Sequence, residues 1–352
     1  MAGEPPPRLV LAVKPSSFGD IVHVTPCLRA LRLAFPDARL LVAVERRWAD
    51  VLRPLPWVDG LVEASSRTQS TASHLFEARR ALALAGAPGR FDIAIDFQGT
   101  RRSAAWVYAS GARVMVGRGW PRPLWRSALR PDLSRHAVEV CAEVCAAAGV
   151  PVADLAPELR TSAADEERVE RTLDAHEVAR SGFVVLNPFS RWDSKALDVP
   201  TAAELAGRLA RRVPDRIVVS GGPEDADRAS EVARHAGERV VSLAGRLALS
   251  EALCVLRRAR LVVSCDSGPM HAAAALGTPV VALFGPTHPE RTGPWGRQHV
   301  VLQAERPPEH HAYRDDVARR YVGALTVEAM LAGVETALAG TPVPPESRCG
   351  SA

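Results

Sequence analysis

The chain has 352 residues, with 44 Lys and Arg against 40 Asp and Glu, a formal charge of +4 with histidine neutral, 47% hydrophobic and 24% charged residues. That length exceeds what one core usually fills, so two domains are expected, and the composition excludes a disordered, collagenous or membrane-bundle chain. So small a basic excess excludes a broad duplex-DNA footprint, and no nucleic-acid partner is expected.

In chain order, residues 9–13 form a continuous apolar run, as a strand buried on both faces requires, and SSFGDIVHVTPCLRALRLAFPDA reads as a loop and a helix ending at Pro36. RLLVAV (39–44) is the next strand, ERRWADVLRPL a helical segment and VDGLVEA a short third strand. HLFEARRALALAG is a helix, FDIAIDF (91–97) a strand and RRSAAWVYASG a helix. Strands alternating with helices in this way predict a parallel, doubly wound sheet. Residues 117–131, GRGWPRPLWRSALRP, are rich in Pro, Arg and Trp and have no clean period. SRHAVEVCAEVCAAAGV resumes a helix, and SAADEERVERTLDAHEV opens with a Ser-x-x-Asp capping pattern at Ser162 and Asp165. Five further apolar strands follow at 182–188, 215–222, 239–245, 259–266 and 279–285, each ending in a polar or glycine-rich turn. This predicts a second doubly wound domain, with domains at 1–175 and 176–339 and a disordered tail at 340–352.

Six cysteines, Cys27, Cys141, Cys145, Cys254, Cys265 and Cys349, show no paired CxxC spacing, so neither a zinc site nor a disulfide framework is expected. The apolar run at 9–13 is too short for a signal peptide or a transmembrane span, and a cytoplasmic location is expected.

The chemistry concentrates at predicted strand ends. In SCDSGPMHAAAALGTPVVALFGPT (264–287), a strand delivers Asp266 and Ser267 to the sheet edge, Gly268 turns the backbone, and Pro269 and His271 open a small-residue helix. Amide groups and the positive dipole end at such a helix mouth suit a diphosphate, although Asp-Ser-Gly alone fits a plain helix cap equally well. NPFSRWDSK places Ser190, Arg191 and Lys195 at a matching edge, with Lys195 the leading phosphate ligand. SGGPED (220–225) is a glycine turn ending in Glu224 and Asp225, either able to accept from ribose hydroxyls. In the first half, KPSSFGDIVHVTP carries Ser17, Gly19 and Asp20 at a helix start, where Asp20 fits a general base or an N-cap. DFQGTRRSA adds Gln98, Arg101 and Arg102, and Arg113, Arg118, Arg122, Arg126, Arg130 and Arg135 interleave with Trp120 and Trp125, a pattern that fits either a surface for an anionic glycolipid or a solvated loop. GxGxxG after a strand, GxxxxGK[ST] and HExxH are absent, which removes the main support for dinucleotide, P-loop and zinc-protease chemistry. His310 and His311 read as solvated loop residues.

These motifs, VKPSSFGDIVHVTPCLRALRLAFPDARL, FDIAIDFQG, GARVMVGRG, NPFSRWDSK, SGGPEDADRA and above all DSGPMHAAAALGTPVVALFGPTHPERTGPWG, resemble glycosyltransferase family 9, the ADP-heptose:lipopolysaccharide heptosyltransferases. The resemblance implies a GT-B fold of two Rossmann-like doubly wound domains facing a central cleft. It also implies inverting transfer, with no metal ion and no cofactor, from a nucleoside diphosphate sugar, ADP-heptose, to a lipopolysaccharide core or related glycan. By motif, Asp20 resembles the family's general base, Ser190 and Lys195 its diphosphate contacts, and Asp225 with Glu224 its ribose acid. Asp266, Ser267, Gly268, Met270 and His271 match its donor-gripping helix mouth. The acceptor set is then Ser17, Gly19, Gln98, Arg101, Arg118 and Arg122, for an anionic glycolipid or oligosaccharide met at the inner face of the plasma membrane by a monomer. The chain departs from the family where SKALDVP lacks the usual tryptophan-proline pair, and ERPPEHHAYRDDVARRYVG lacks the cysteine-rich segment of some second-heptose enzymes. A nucleotide-sugar 2-epimerase of the same fold, needing no acceptor, and a non-catalytic nucleotide-sugar or glycan-binding protein, not needing Asp20, are the competing readings.

Overall fold

A computed structural model describes residues 5–64, 71–87, 90–119, 123–130, 132, 134–308 and 318–340. Trp120, Arg122, His310, His311, Cys349 and the expected tail beyond Gly340 lie outside them. The chain divides into two compact units, Met1–Arg160 and Thr161–Ala352.

The first unit is a parallel sheet of β1 (Leu9–Val13), β2 (Arg39–Glu45), β3 (Gly60–Ala64), β4 (Ile93–Asp96), β5 (Val114–Arg118) and β6 (Ser127–Leu129), ordered β3-β2-β1-β4-β5-β6. β1 is central, pairing Val13 with Ala43 on one side and with Asp96 on the other. Its residues Val10 to Val13 are at most 1% exposed, which is why the run has no polar alternation, and truncating Leu11 to alanine costs about 2–5 kcal/mol. Helices α1 (Phe18–Ala34) and α4 (Ala137–Ala147) pack on each other, as do α2 (Thr71–Leu84) and α3 (Arg101–Ala109). Leu11, Val13, Leu41, Ala94 and Met115 share one core cluster with Ala78 and Leu82 of α2 and Trp106 and Val107 of α3, so those two helices cover one sheet face.

The second unit repeats this winding with β7 (Val184–Asn187), β8 (Ile217–Val219), β9 (Val240–Ser242), β10 (Leu261–Cys265), β11 (Val280–Phe284) and β12 (Val300–Gln303), all parallel and ordered β12-β11-β10-β7-β8-β9. Around it lie α5 (Ala163–Ala175), α6 (Val199–Arg212), α7 (Ala226–Ala236), α8 (Leu249–Arg258), α9 (Gly268–Ala275), α10 (Pro289–Thr292), α11 (Arg319–Gly323) and α12 (Val327–Gly340). The order reverses between β1 and β4 in one unit and between β7 and β10 in the other. At such switch points the loops diverge and leave a crevice at the carboxyl ends of the strands. Among the described residues no helix is long and apolar enough to cross a membrane.

The α/β class with two doubly wound sheets is as expected, and it is the architecture of the GT-B class. Three strands escape the sequence pattern. β5 is a short apolar run, VMVG, that ends in Arg118, β6 is three half-buried residues, and β12 is a partly exposed edge. ERRWADV is a short 3-10 turn, Arg46–Val51, rather than a longer helix. The first compact unit ends at Arg160, and α5, which follows, packs against α8. There Arg168 donates to Glu251 at 2.8 Å and the Ser250 hydroxyl to Asp165 at 3.0 Å. Ser162 is the expected N-cap of α5, accepting from the Asp165 amide at 3.1 Å.

Candidate functional site

In the first unit β1 runs directly into Lys14, whose side chain is 3% exposed and whose ammonium lies 3.3 Å from an Asp20 carboxylate oxygen. Asp20 sits in the first turn of α1, and its other oxygen accepts from the Ser17 amide at 3.0 Å and the Ser17 hydroxyl at 2.7 Å. Asp20 thus closes a capping box as the third residue of the helix; the N-cap itself is Ser17, not Asp20. Its side chain is nonetheless 42% exposed, so the pair is enclosed on the lysine side and open on the carboxylate side. Burial by itself raises the carboxyl pKa, but Lys14, His23 and the two Ser17 donors outweigh it and hold Asp20 well below the usual carboxylate range. Asp20 is therefore ionised at every pH of interest and presents an acceptor-only oxygen to solvent.

Gly19 is buried under this turn and Ser17 is exposed. Arg118, at the end of β5, lies over Gly99, where φ is +79° and an added Cβ would meet the Arg118 Cγ at 2.7 Å. Lys14, Asp20 and Arg118 all act on the buried Cys141 thiol: burial pushes it up, Lys14 and Arg118 draw it back and Asp20 adds to the rise. Gln98 donates its backbone amide to Asp96 at 2.9 Å, and its side-chain carbonyl oxygen is enclosed with no hydrogen-bond partner among the described residues. Arg101 is exposed at the start of α3. Sequence reading assigned no role to Lys14 or to Glu45, a carboxylate 3% exposed that binds Arg47 at 2.7 Å and Arg102 at 3.0 Å at the end of β2. The signal for both was available, since a charge that ends an apolar strand must find a partner inside the protein.

In the second unit the loops at the β7–β10 switch point converge. Lys195 donates to the Asp266 carboxylate at 2.7 Å, and the Thr287 hydroxyl, beyond the end of β11, donates to the same oxygen at 2.6 Å. The ammonium and carboxylate side chains are 13% and 5% exposed. Burial raises the Asp266 pKa, yet Lys195, His271 and the Thr287 hydrogen bond lower it below the ordinary carboxylate value. Beneath this pair lies Asn187, whose side-chain NH2 donates to the hydroxyls of Ser267 at 3.0 Å and Ser264 at 3.3 Å and to the Phe189 carbonyl at 3.2 Å. Its carbonyl oxygen accepts from Ser220 at 3.2 Å. Asn187 so ties three strand ends, β7, β8 and β10, to one rigid floor. Neither Asn187 nor Thr287 was assigned a role from sequence, because each is an isolated polar residue whose partners are remote in the chain.

The mouth of α9 differs in detail from a row of free donors. Pro269 has no N–H, and the Met270 amide is spent on the Ser267 carbonyl at 3.2 Å. The Gly268 amide and the helix dipole are what this end offers an anion. Met270 is fully buried and His271 is 7% exposed, so Met270 has no surface from which to touch a ligand. Ser190 is half-buried, its hydroxyl 3.4 Å from the Asp266 carbonyl oxygen. Asp225 accepts from the Gly222 amide at 3.0 Å, and burial pushes its pKa up, helped by Glu224 and Asp193 and opposed by the Gly222 amide and Arg228. Glu224 is exposed and lies so close to Gly222 that an added Cβ would meet its carboxylate at 2.6 Å. Among the described residues no group of three or more His, Cys, Asp or Glu side chains is arranged to hold a metal ion.

What this site can do is set by its charges. Asp266 holds the Lys195 ammonium at a fixed place, so an anion meeting it there does not cost the rotamer entropy a loose lysine would lose.

The family model described as Glycosyltransferase family 9 (heptosyltransferase) matches residues 80–322, which include the whole Lys195–Asp266 site; Ser17, Gly19 and Asp20 precede the matched segment. Lipopolysaccharide heptosyltransferase 1 of Salmonella typhimurium is 28% identical over 302 residues, 83% of this chain and 93% of that protein. A glycosyl transferase family 9 structure from Veillonella parvula superposes with a TM-score of 0.83 at 21% identity, covering 95% of this chain and 98% of its own. An Escherichia coli heptosyltransferase solved with ADP gives 0.70 at 24% identity, covering 94% and 99%.

Proposed function

Because the chain belongs to glycosyltransferase family 9, we propose that it moves a heptose from an ADP-linked donor to a lipopolysaccharide-core acceptor, inverting the anomeric centre without a metal ion. The observation that carries this reading is the buried Lys195–Asp266–Thr287 cluster at the mouth of α9. It supplies a fixed cation and a helix dipole where a diphosphate leaving group needs them. The relative solved with ADP supports the choice of nucleotide.

In this reading the second unit holds the donor. Lys195, Ser190 and the Gly268 amide face the diphosphate, and Glu224 and Asp225 face the ribose hydroxyls. Ser267, His271 and Asp266 line the sugar side, with Asp266 also fixing Lys195. The first unit holds the acceptor through Ser17, Gly19, Gln98, Arg101, Arg118 and Arg122, the last lying outside the described residues. Asp20 takes the proton of the attacking hydroxyl while the C–O bond to the anomeric carbon forms and the bond to the β-phosphate oxygen breaks. A carboxylate held below its usual pKa is a weak base at rest. It suffices here because the acceptor oxygen becomes strongly acidic as its new bond forms. Negative charge develops on the departing ADP, and Lys195 with the α9 dipole stabilises it in the role a divalent cation plays elsewhere. The protein acts as a monomer in the cytoplasm, against the inner face of the plasma membrane where its acceptor lies.

The test is transfer from ADP-heptose to a lipid-free core oligosaccharide, with product anomer read by NMR and ADP release followed in EDTA. An inverted linkage formed at full rate in EDTA supports the proposal. Conversion of the donor sugar without an acceptor would replace it by epimerisation, and donor binding with no turnover would leave a binding protein. Calorimetry with ADP, GDP, UDP and dTDP decides the base; preference for any but ADP refutes that part.

A further inference from the structure

We propose that the outer face of α2, with residues 123–126 ahead of β6, docks on an anionic phospholipid bilayer. Helix α2 turns small and aliphatic residues inward and large ones outward: Ala78 and Leu82 are 0% and 2% exposed, while Phe76 and Leu84 are 72% and 79% exposed. Phe76, Arg80 and Leu84 fall at i, i+4 and i+8, which stacks them in one ridge along the helix, and Arg79 is exposed beside it. The loop before β6 adds Leu124, the most exposed large hydrophobic among the described residues at 84%. Its φ of +67° is a conformation a bulky leucine rarely adopts, so the backbone is held in a way that displays the side chain.

These two elements belong to one side of the unit. The ring of Tyr108, on α3, lies 6.1 Å from that of Trp125, and its hydroxyl donates to the Pro123 carbonyl at 2.9 Å. Tyr108 and Trp125 both pack against the core cluster that α2 and α3 cover. Single exposed apolar residues are ordinary, but Phe76 and Leu84 share a ridge with Arg80, with Arg79 beside it, and Leu124 is two residues from the exposed Arg126, so each of the two elements has an amphipathic outer surface. Charge selects the occupant. Residues 1–160 carry 21 Lys and Arg against 15 Asp and Glu, an excess of six, while residues 161–352 carry 23 against 25, a deficit of two. A second copy meeting this face symmetrically would set arginines against arginines, whereas an anionic lipid surface complements them and accepts the apolar tips among its acyl chains. The inference names the surface behind the membrane contact of the proposed function, and it does not depend on the transfer reaction.

The test is co-sedimentation of the full chain with phosphatidylcholine vesicles, with and without phosphatidylglycerol. Binding is expected only to the anionic vesicles, weakening with salt. Arg79→Ala/Arg80→Ala should lower partitioning about 30-fold, at the value of an arginine beside an anionic surface. Phe76→Ser/Leu84→Ser/Leu124→Ser should lower it about ten-fold or more. Both variants should transfer sugar to a lipid-free acceptor at the wild-type rate. Equal binding to neutral vesicles, unchanged binding by the variants, or loss of transfer to the lipid-free acceptor would overturn the assignment. So would a solution dimer that Phe76→Ser/Leu84→Ser dissolves. Vesicle binding by a wild-type protein that shows no transferase activity would leave this inference standing and remove the proposed function instead.

Discussion

Lys195→Ala separates what the buried ion pair does for stability from what it does for a ligand. The substitution leaves the Asp266 carboxylate 5% exposed, with the Thr287 hydroxyl still donating at 2.6 Å but no ammonium. Removing one partner of a buried pair costs about 3–5 kcal/mol. A domain of this size shifts its melting temperature by about 2–4 °C per kcal/mol, so the second unit should melt about 6–20 °C lower at neutral pH. The sign of the pH dependence follows from Asp266. In the wild type its folded pKa is lowered, so its contribution is present above the unfolded pKa and lost as pH falls through the folded value. Without Lys195 the folded pKa moves up, with His271 and the Thr287 hydrogen bond left to oppose burial. The deficit of the variant relative to the wild type therefore shrinks on acidification, as protonation of Asp266 removes the unpaired buried charge. Lys195→Ala/Asp266→Asn removes both charges and should recover most of the lost stability. It should not recover ADP affinity, which both variants lose by about 10- to 150-fold, the worth of a charge-assisted hydrogen bond. Differential scanning fluorimetry across pH and calorimetry with ADP read the two effects. Wild-type ADP affinity in the double variant would remove Lys195 as a phosphate ligand. A single variant that melts with the wild type would refute the buried pair.

Asp20→Asn should lower kcat by about 100- to 10,000-fold with ADP affinity unchanged, measured by single-turnover transfer and calorimetry; a kcat within a factor of about two excludes the base role. Because Asp20 is held low, its stabilising contribution and its activity persist above the ordinary carboxylate pKa and fade only as pH falls through the depressed one. The acid limb of kcat/KM should therefore be missing from the usual carboxylate range, and Lys14→Met should bring it up into view. Gly222→Ala should weaken ADP binding while leaving the melting temperature nearly unchanged, since its Cβ would displace the flexible Glu224 carboxylate from 2.6 Å rather than any backbone. Unaltered binding there would detach the 220–225 turn from the ribose.

Strand and helix alternation, the buried runs at 9–13 and 259–266, and the motif residues Asp20, Lys195 and Asp266 were legible in the sequence. Each is a local pattern, such as an unbroken apolar stretch, a capping spacing, or a glycine-proline break before a helix. The family itself was legible for the same reason, because its motifs are contiguous. Tertiary structure alone decided the strand order, and with it the switch point that gathers each unit's motifs at one edge of its own sheet. It decided that Lys195 is bound to Asp266 across 71 positions of sequence, that Thr287 shares that carboxylate, and that Asn187 ties β7, β8 and β10 together. It also placed Lys14 on Asp20, and with that set the direction of the carboxyl's pKa. The division has a physical cause. Propensity and periodicity act over neighbouring residues, whereas burial, ion pairing and hydrogen-bond satisfaction depend on which distant groups share a low-dielectric space, and only the folded chain fixes that.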